Sequence, residues 1–405
     1  MTADPGVALA EAFRDQWARV VAHLIAATGD WDLAEECAQE AYALALPAWQ
    51  RDGVPDNPRA WLTTTARHRA VDRVRRARRG QAKLRELTPA AVAGLGVDLD
   101  ALDSGIADER LRLIYTCCHP ALSLESRVTL ALRTLGGLST AEIARAFLVS
   151  EATMAKRLTR TKQKITLAGI PYRVPPAPLL PERTAAVLAV VYLMFHEGYA
   201  ATAGPQLIRA GLCAQAVRLA GLVAELMPDD PEAGGLHALL LLLHARRAAR
   251  TGADGELVPL EEQDRSRWEP ATVAAGLAAL RRALGRERVG PYQLQALIAA
   301  GHAAGPPTDW AGIAGLYDRL LVLVPSPAVR LNRAIAVALR SGPQAGLDLL
   351  DEVGDHPLLS ATRADLLRRL GRDADAIAHY RDALTRTANE AERRYLRRRL
   401  AECGR

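Results

Sequence analysis

The segment "LSTAEIARAFLVSEATMAKRLTRTKQKI", residues 138–165, constrains the fold more than any other stretch. Ser139 stands where a helix N-cap belongs, and Glu142 three residues later completes a capping box. Ile143, Ala144 and Phe147 then share the inward side of a short helix. The turn "FLVS" follows, and Ser150 caps a second helix with Met154, Leu158 and Ile165 facing inward. Its outward side carries Thr153, Lys156, Arg157, Arg160 and Lys164. A support helix, a tight turn and a cationic second helix with hydroxyls in its first half make a helix-turn-helix DNA reader. For this segment alone, an ordinary helical hairpin is the plainer alternative.

The 405-residue chain is too long for one ordinary domain, so two or three are expected. Aromatics make up only 4%, while Ala, Leu and Arg dominate, which predicts an all-α fold packed through small and aliphatic side chains. No uncharged apolar run of about 18 residues is visible, and no basic-then-apolar leader opens the chain. The expectation is therefore a cytoplasmic protein without a membrane partner, its five cysteines reduced.

Residues 7–50 read as two helices, the first facing inward through Phe13, Trp17, Val20, Val21 and Leu24. Asp30 caps the second, whose inward residues are Leu33, Cys37, Tyr42 and Leu46. "RDGVPDNP" (51–58) is a loop, and a basic amphipathic helix, "RAWLTTTARHRAVDRVRRARR", follows. Residues 87–109 form an acidic linker, a second helical cluster spans 110–169, and a proline-rich boundary occupies 170–182.

Charge is blocked along the chain. Residues 1–56 hold ten acids and three bases, residues 59–85 ten bases and one acid, and residues 87–109 five acids and no base. Such blocks make separate acidic and basic surfaces. Trp49 and Trp61 bracket the loop before the basic helix, and aromatics beside cations suit the unstacked bases of single-stranded DNA. One element for duplex and another for melted DNA, on one chain, point to promoter opening.

"IYTCCHPAL" (114–122) has the look of a metal or redox site. Adjacent helical cysteines diverge by about 100° and cannot both face one metal. No C-x-x-C partner lies near, so no metal and no cofactor are expected. The stretch reads instead as a turn, with Pro120 stopping one helix and the cysteines filling a core.

At this point the chain resembles the extracytoplasmic-function sigma factors, initiation subunits of bacterial RNA polymerase. The resemblance rests on "DWDLAEECAQEAYALAL", on "NPRAWLTTTARHRAVDRVRR" and on "LRLIYTCCHPALSLESRVTLALRTLGGLSTAEIARAFLVSEATMAKRLTRTKQKI". It is close to the pattern of the group with a long tetratricopeptide-like helical extension, with "VVYLMFHEGYAAT", "LEEQDRSRWEP" and "PYQLQALIAAGHA" as further landmarks. It implies sigma region two over 7–86, region four over 110–169 and a regulatory extension over 183–405. It also implies core polymerase as partner, through its clamp coiled coil and its flap, and promoter DNA.

Site residues follow from the same resemblance. Asp32, Glu35, Glu36, Gln39 and Glu40 would meet the clamp. Asn57, Arg67, His68, Arg69, Arg73, Arg75 and Arg76 would face the minus-ten element and its melted strand. His68 stands where many relatives have Asn, which changes the donors and acceptors offered there. Ser150, Thr153, Lys156, Arg157 and Arg160 would contact the minus-thirty-five element. The acidic linker would follow a path through the polymerase. Genes of such factors neighbour a small DGPF-motif protein, a candidate partner for the extension by association alone.

Residues 183–405 carry an internal pattern: Ala216, Ala220, Val223 and Pro228 recur as Ile313, Tyr317, Leu320 and Pro325, and in part as Ala376, Tyr380 and Ala383. Degenerate spacing predicts a helical array with insertions. An enzyme is not expected: phosphate-loop motifs are missing, and "HEGYA" lacks the second histidine of a zinc protease. The rival from another class is a duplex-binding repressor or activator with a ligand- or protein-sensing helical domain. It leaves the acidic helix and the separate basic helix without a role.

Overall fold

The computed structural model describes residues 4–87, 109–147, 149–285 and 289–404. The acidic linker expected over 87–109 lies almost wholly outside the described residues, as does Leu148 of the helix-turn-helix. The described chain is helical apart from two two-residue strands, and it divides into two units, Met1–Val190 and Val191–Arg405.

In the first unit, α1 (Pro5–Thr28) and α2 (Trp31–Asp52) form a hairpin against α3 (Pro58–Leu87). Asp30 caps α2 as its sequence predicts, its carboxylate accepting from the amides of Asp32 and Leu33 at 3.0 Å each. Trp17, Val20, Val21 and Leu24 are buried, while Leu46 is 37% exposed. Cys37 and Tyr42 are buried as expected, and the main inward stripe of α2 runs Cys37, Ala41, Ala45 and Trp49, a strict i, i+4 row that leaves Leu46 outside. Trp49 is buried edge-on against Trp61 at 5.8 Å, so the tryptophan expected near unstacked bases belongs to the core. Leu62, Ala66, Ala70 and Val74 make the buried row of α3.

Four helices follow: α4 (Arg110–Cys117), α5 (Leu124–Thr134), α6 (Thr140–Ala146) and α7 (Glu151–Leu167). The capping box at Ser139 and Glu142 is formed, and Ser150 accepts from the Thr153 amide. Ile143, Ala144, Met154, Leu158 and Ile165 are buried, whereas Phe147, expected inside, is half-buried at the helix end. Gly137, between α5 and α6, takes φ +71°, and a Cβ there would lie 2.8 Å from the Phe13 ring. The turn before the helix-turn-helix thus rests directly on the aromatic cluster of α1. Tyr172 in the proline-rich segment donates to the carbonyl of Ala22 at 2.9 Å and packs edge-on against Trp31.

Helix α8 (Leu180–Tyr199) contains the division between the units. The span Ala177–Tyr199 is long and apolar enough to cross a membrane by length and composition, against the expectation from sequence. Val187, Leu188, Val190, Val191, Met194 and Phe195 of this span are buried, and 39% of its apolar window is buried in all.

The second unit continues as α9 (Ala210–Leu226), α10 (Pro231–Ala245), α11 (Pro270–Leu284), α12 (Pro291–Ala303) and α13 (Trp310–Leu323). It ends with α14 (Pro327–Ser341), α15 (Pro343–Leu349), α16 (Leu359–Arg369), α17 (Asp373–Arg386) and α18 (Glu390–Cys403). Neighbours in sequence pack as neighbours in space, α9 on α10, α13 on α14, α16 on α17. The repeated positions fall on buried faces: Ala216, Ala220 and Val223 on α9, Ile313 and Leu320 on α13, Ala376, Tyr380 and Ala383 on α17. Strand β1 (Ala203–Gly204) pairs in parallel with β2 (Ala388–Asn389). Buried Asn389 donates to the carbonyls of Ala201 at 2.8 Å and Gln206 at 3.1 Å, tying the last helix of the unit to its first loop.

Candidate nucleic-acid interface

Helix α7 presents its cations outward because Met154, Leu158, Thr161 and Ile165 occupy its inner row. Thr153, Lys156 and Arg160 are exposed, but Arg157 is ion-paired with Glu125 of α5. Ser150 uses its hydroxyl on the helix end, bonding the Thr153 amide and the Thr153 hydroxyl, the latter at 2.8 Å.

Helix α3 makes a second cationic surface. His68, Arg75 and Arg76 are exposed, and Arg67 and Arg69 are half-buried along its flank. Burial, helped by the nearby Arg67 guanidinium, holds the His23 imidazole below its ordinary range, so it stays neutral beneath this surface. Asn57 caps the helix, accepting from the Ala60 amide at 3.1 Å, so its side chain has a structural task. Arg73, assigned by resemblance to the DNA face, bridges Glu36 and Glu40 of α2.

The acidic side of α2 is therefore engaged from within the chain. Glu35 is buried, and its Oε2 receives Arg133 Nε of α5 at 2.9 Å and Lys162 Nζ of α7 at 3.2 Å. Lys162 also reaches Asp32 at 2.7 Å. Gln39 remains exposed. Sequence reasoning missed Arg133, Lys162 and Glu125: these partners are 98, 130 and 32 residues from the groups they meet, and no local pattern marks them.

"TCCHP" closes α4 as a turn. Cys117 is buried with Sγ 3.2 Å from the Thr134 hydroxyl, and Cys118 is the helix C-cap. Burial pushes the Cys118 thiol up to about 12 and the Cys117 thiol well above its ordinary range, so both stay protonated at neutral pH. Among the described residues no group of three or more His, Cys, Asp or Glu side chains could hold a metal ion.

Residues 9–80 match the family Sigma-70 region 2, and residues 112–165 match Sigma-70, region 4. Residues 183–284 match a family of unknown function, DUF6596. An uncharacterized protein of Rhizobium meliloti (strain 1021) is 43% identical over 385 residues, covering 91% of this chain and 89% of that protein. The ECF RNA polymerase sigma factor SigK of Mycobacterium ulcerans (strain Agy99) is 35% identical over 134 residues, covering 32% of this chain and 68% of that protein. With its region two and region four both matched and both folded, the chain belongs to the ECF RNA polymerase sigma factors, and it carries a helical C-terminal extension.

Proposed function

We propose that this sigma factor divides promoter recognition between its two cationic helices and that its second unit regulates the outcome in cis. Lys156, Arg160 and Thr153 on α7 read the upstream duplex element, with Arg157 joining once it leaves Glu125. His68, Arg69, Arg75 and Arg76 on α3 face the downstream element and its melted strand. The acidic side of α2 docks on the polymerase clamp through Asp32, Glu35, Glu36, Gln39 and Glu40, and region four contacts the flap. One observation carries the reading: two separate exposed cationic surfaces, on α3 and α7, occur in one compact unit. A repressor needs only the second.

Run-off transcription with core polymerase tests both parts. The full chain and a chain ending at Val190 are compared on one promoter. The cut is placed there because Thr184, in the first half of α8, meets the Tyr115 hydroxyl at 2.7 Å and belongs with the first unit. Specific transcripts from either chain support a sigma factor and exclude a repressor. Cis regulation predicts a several-fold difference in yield between the two chains, and identical yields under all conditions would refute it. The small DGPF-motif protein is a candidate partner of the second unit, checked by co-purification with the full chain.

A further inference from the structure

The acidic side of α2 is the surface that the proposed function gives to polymerase, and every acid on it already has a cation from this chain. Arg73 takes Glu36 and Glu40 from within region two. The remaining two, Asp32 and Glu35, are taken by region four through Lys162 and Arg133. Lys162 and Arg133 leave only 11% and 14% of their side chains exposed, and Glu35 only 5%, so solvent hardly screens the pairs to Glu35, whereas Asp32 is 72% exposed.

From these ion pairs we infer that region four sits on the polymerase-docking face of region two as an internal competitor: the chain docks on core polymerase only after Lys162 and Arg133 release Asp32 and Glu35. The inference rests on the assignment of that face to polymerase. Two further observations suit a contact built to open. Glu35 takes both cations on one oxygen, and its Oε1 is buried without a hydrogen-bond partner. A buried ion pair gains little net stability over its desolvation cost, and an unsatisfied carboxylate oxygen lowers the gain further. A partner offering several cations in matched positions can therefore displace it. The apolar part of the contact includes Gly137 on the Phe13 and Trp17 rings, Tyr172 on Trp31, and α1 against α4.

Lys162→Glu in the full chain is the test, with Lys162→Gln as the milder variant should the reversal misfold. Lys162 is preferred to Arg133, which also donates to the Leu138 carbonyl at 3.0 Å and supports the turn before α6. Two readouts are taken: affinity for core polymerase without DNA, and the distance between spin labels at exposed positions 44 and 167 on α2 and α7. The expected result is a widened distance in the variant, a similar widening in the wild type on adding polymerase, and polymerase affinity raised about tenfold or more. Unchanged distance in both variants would overturn the inference. So would a widened distance without a gain in affinity. Adding Glu35→Lys to the Lys162→Gln chain, where no opposite-charge pair with position 162 can re-form, separates the two readings. Weakened polymerase binding there keeps the docking face even if the competition fails, whereas unaltered binding removes the docking face and the competition with it.

Discussion

His302, at the end of α12, shows how much one buried side chain can set. Burial, with Arg246 and Arg265 adding to it, lowers its imidazole from the ordinary 6.5 to about 4, and its Nδ1 has no hydrogen-bond partner. The folded state prefers the neutral ring, so its contribution is present above pH 6.5 and is lost as pH falls towards 4. His302→Gln should remove about 2 kcal/mol of the acid destabilisation between pH 7 and pH 4.5. Denaturant titrations at the two pH values check this, and an unchanged difference would mean that the ring titrates normally. Local signals at this scale were legible. Ser139, Glu142, Ser150 and Asp30 act within three residues of themselves, and all four cap as their positions predict. Arg73 was not legible in the same way. Nothing local on a basic helix announces that a facing helix brings Glu36 and Glu40 alongside it.

Elements were read well where periodicity was strong and less well where small residues blur it. In α2 the buried row runs through Cys37, Ala41 and Ala45 to Trp49, and alanines give hydropathy too little contrast to fix the phase, which is how Leu46 came to be placed inside. The helix-turn-helix was legible in its caps and its inward rows, Phe147 apart, because capping and periodicity agree. Its anchorage was not, since Gly137 meets Phe13 and Trp17 across more than a hundred residues. Gly137→Ala places a Cβ in left-handed backbone 2.8 Å from the Phe13 ring. It should destabilise the first unit by at least about 1 kcal/mol, seen as a lower Tm. A Tm equal to the wild type's would show that the turn does not bear on α1.

At the scale of the molecule, sequence separated a sigma-like part from a helical array, and its charge blocks foretold separate acidic and basic surfaces. It did not foretell that the acidic surface would be answered from inside the chain, because which helices meet is settled by packing. Nor did it foretell how the second unit is joined to itself. Asn389 satisfies two carbonyls of the loop after α8 and caps α18 through the amides of Ala391 at 3.0 Å and Glu392 at 3.3 Å. Asn389→Ala strands both carbonyls and uncaps the helix, a loss on the order of 3 kcal/mol. Hydrogen exchange should then accelerate together in α18 and in the loop after α8. Acceleration in α18 alone would show that the tie carries no load.

That tie also orders events during synthesis. Its two sides lie 188 residues apart in sequence, so the loop after α8 waits for nearly the whole second unit to be translated before its carbonyls find their donor. The first unit ends at Val190, so its residues are all made before the array and can begin folding while the ribosome is still making it. A nascent chain stalled within the array would therefore already display its two cationic helices.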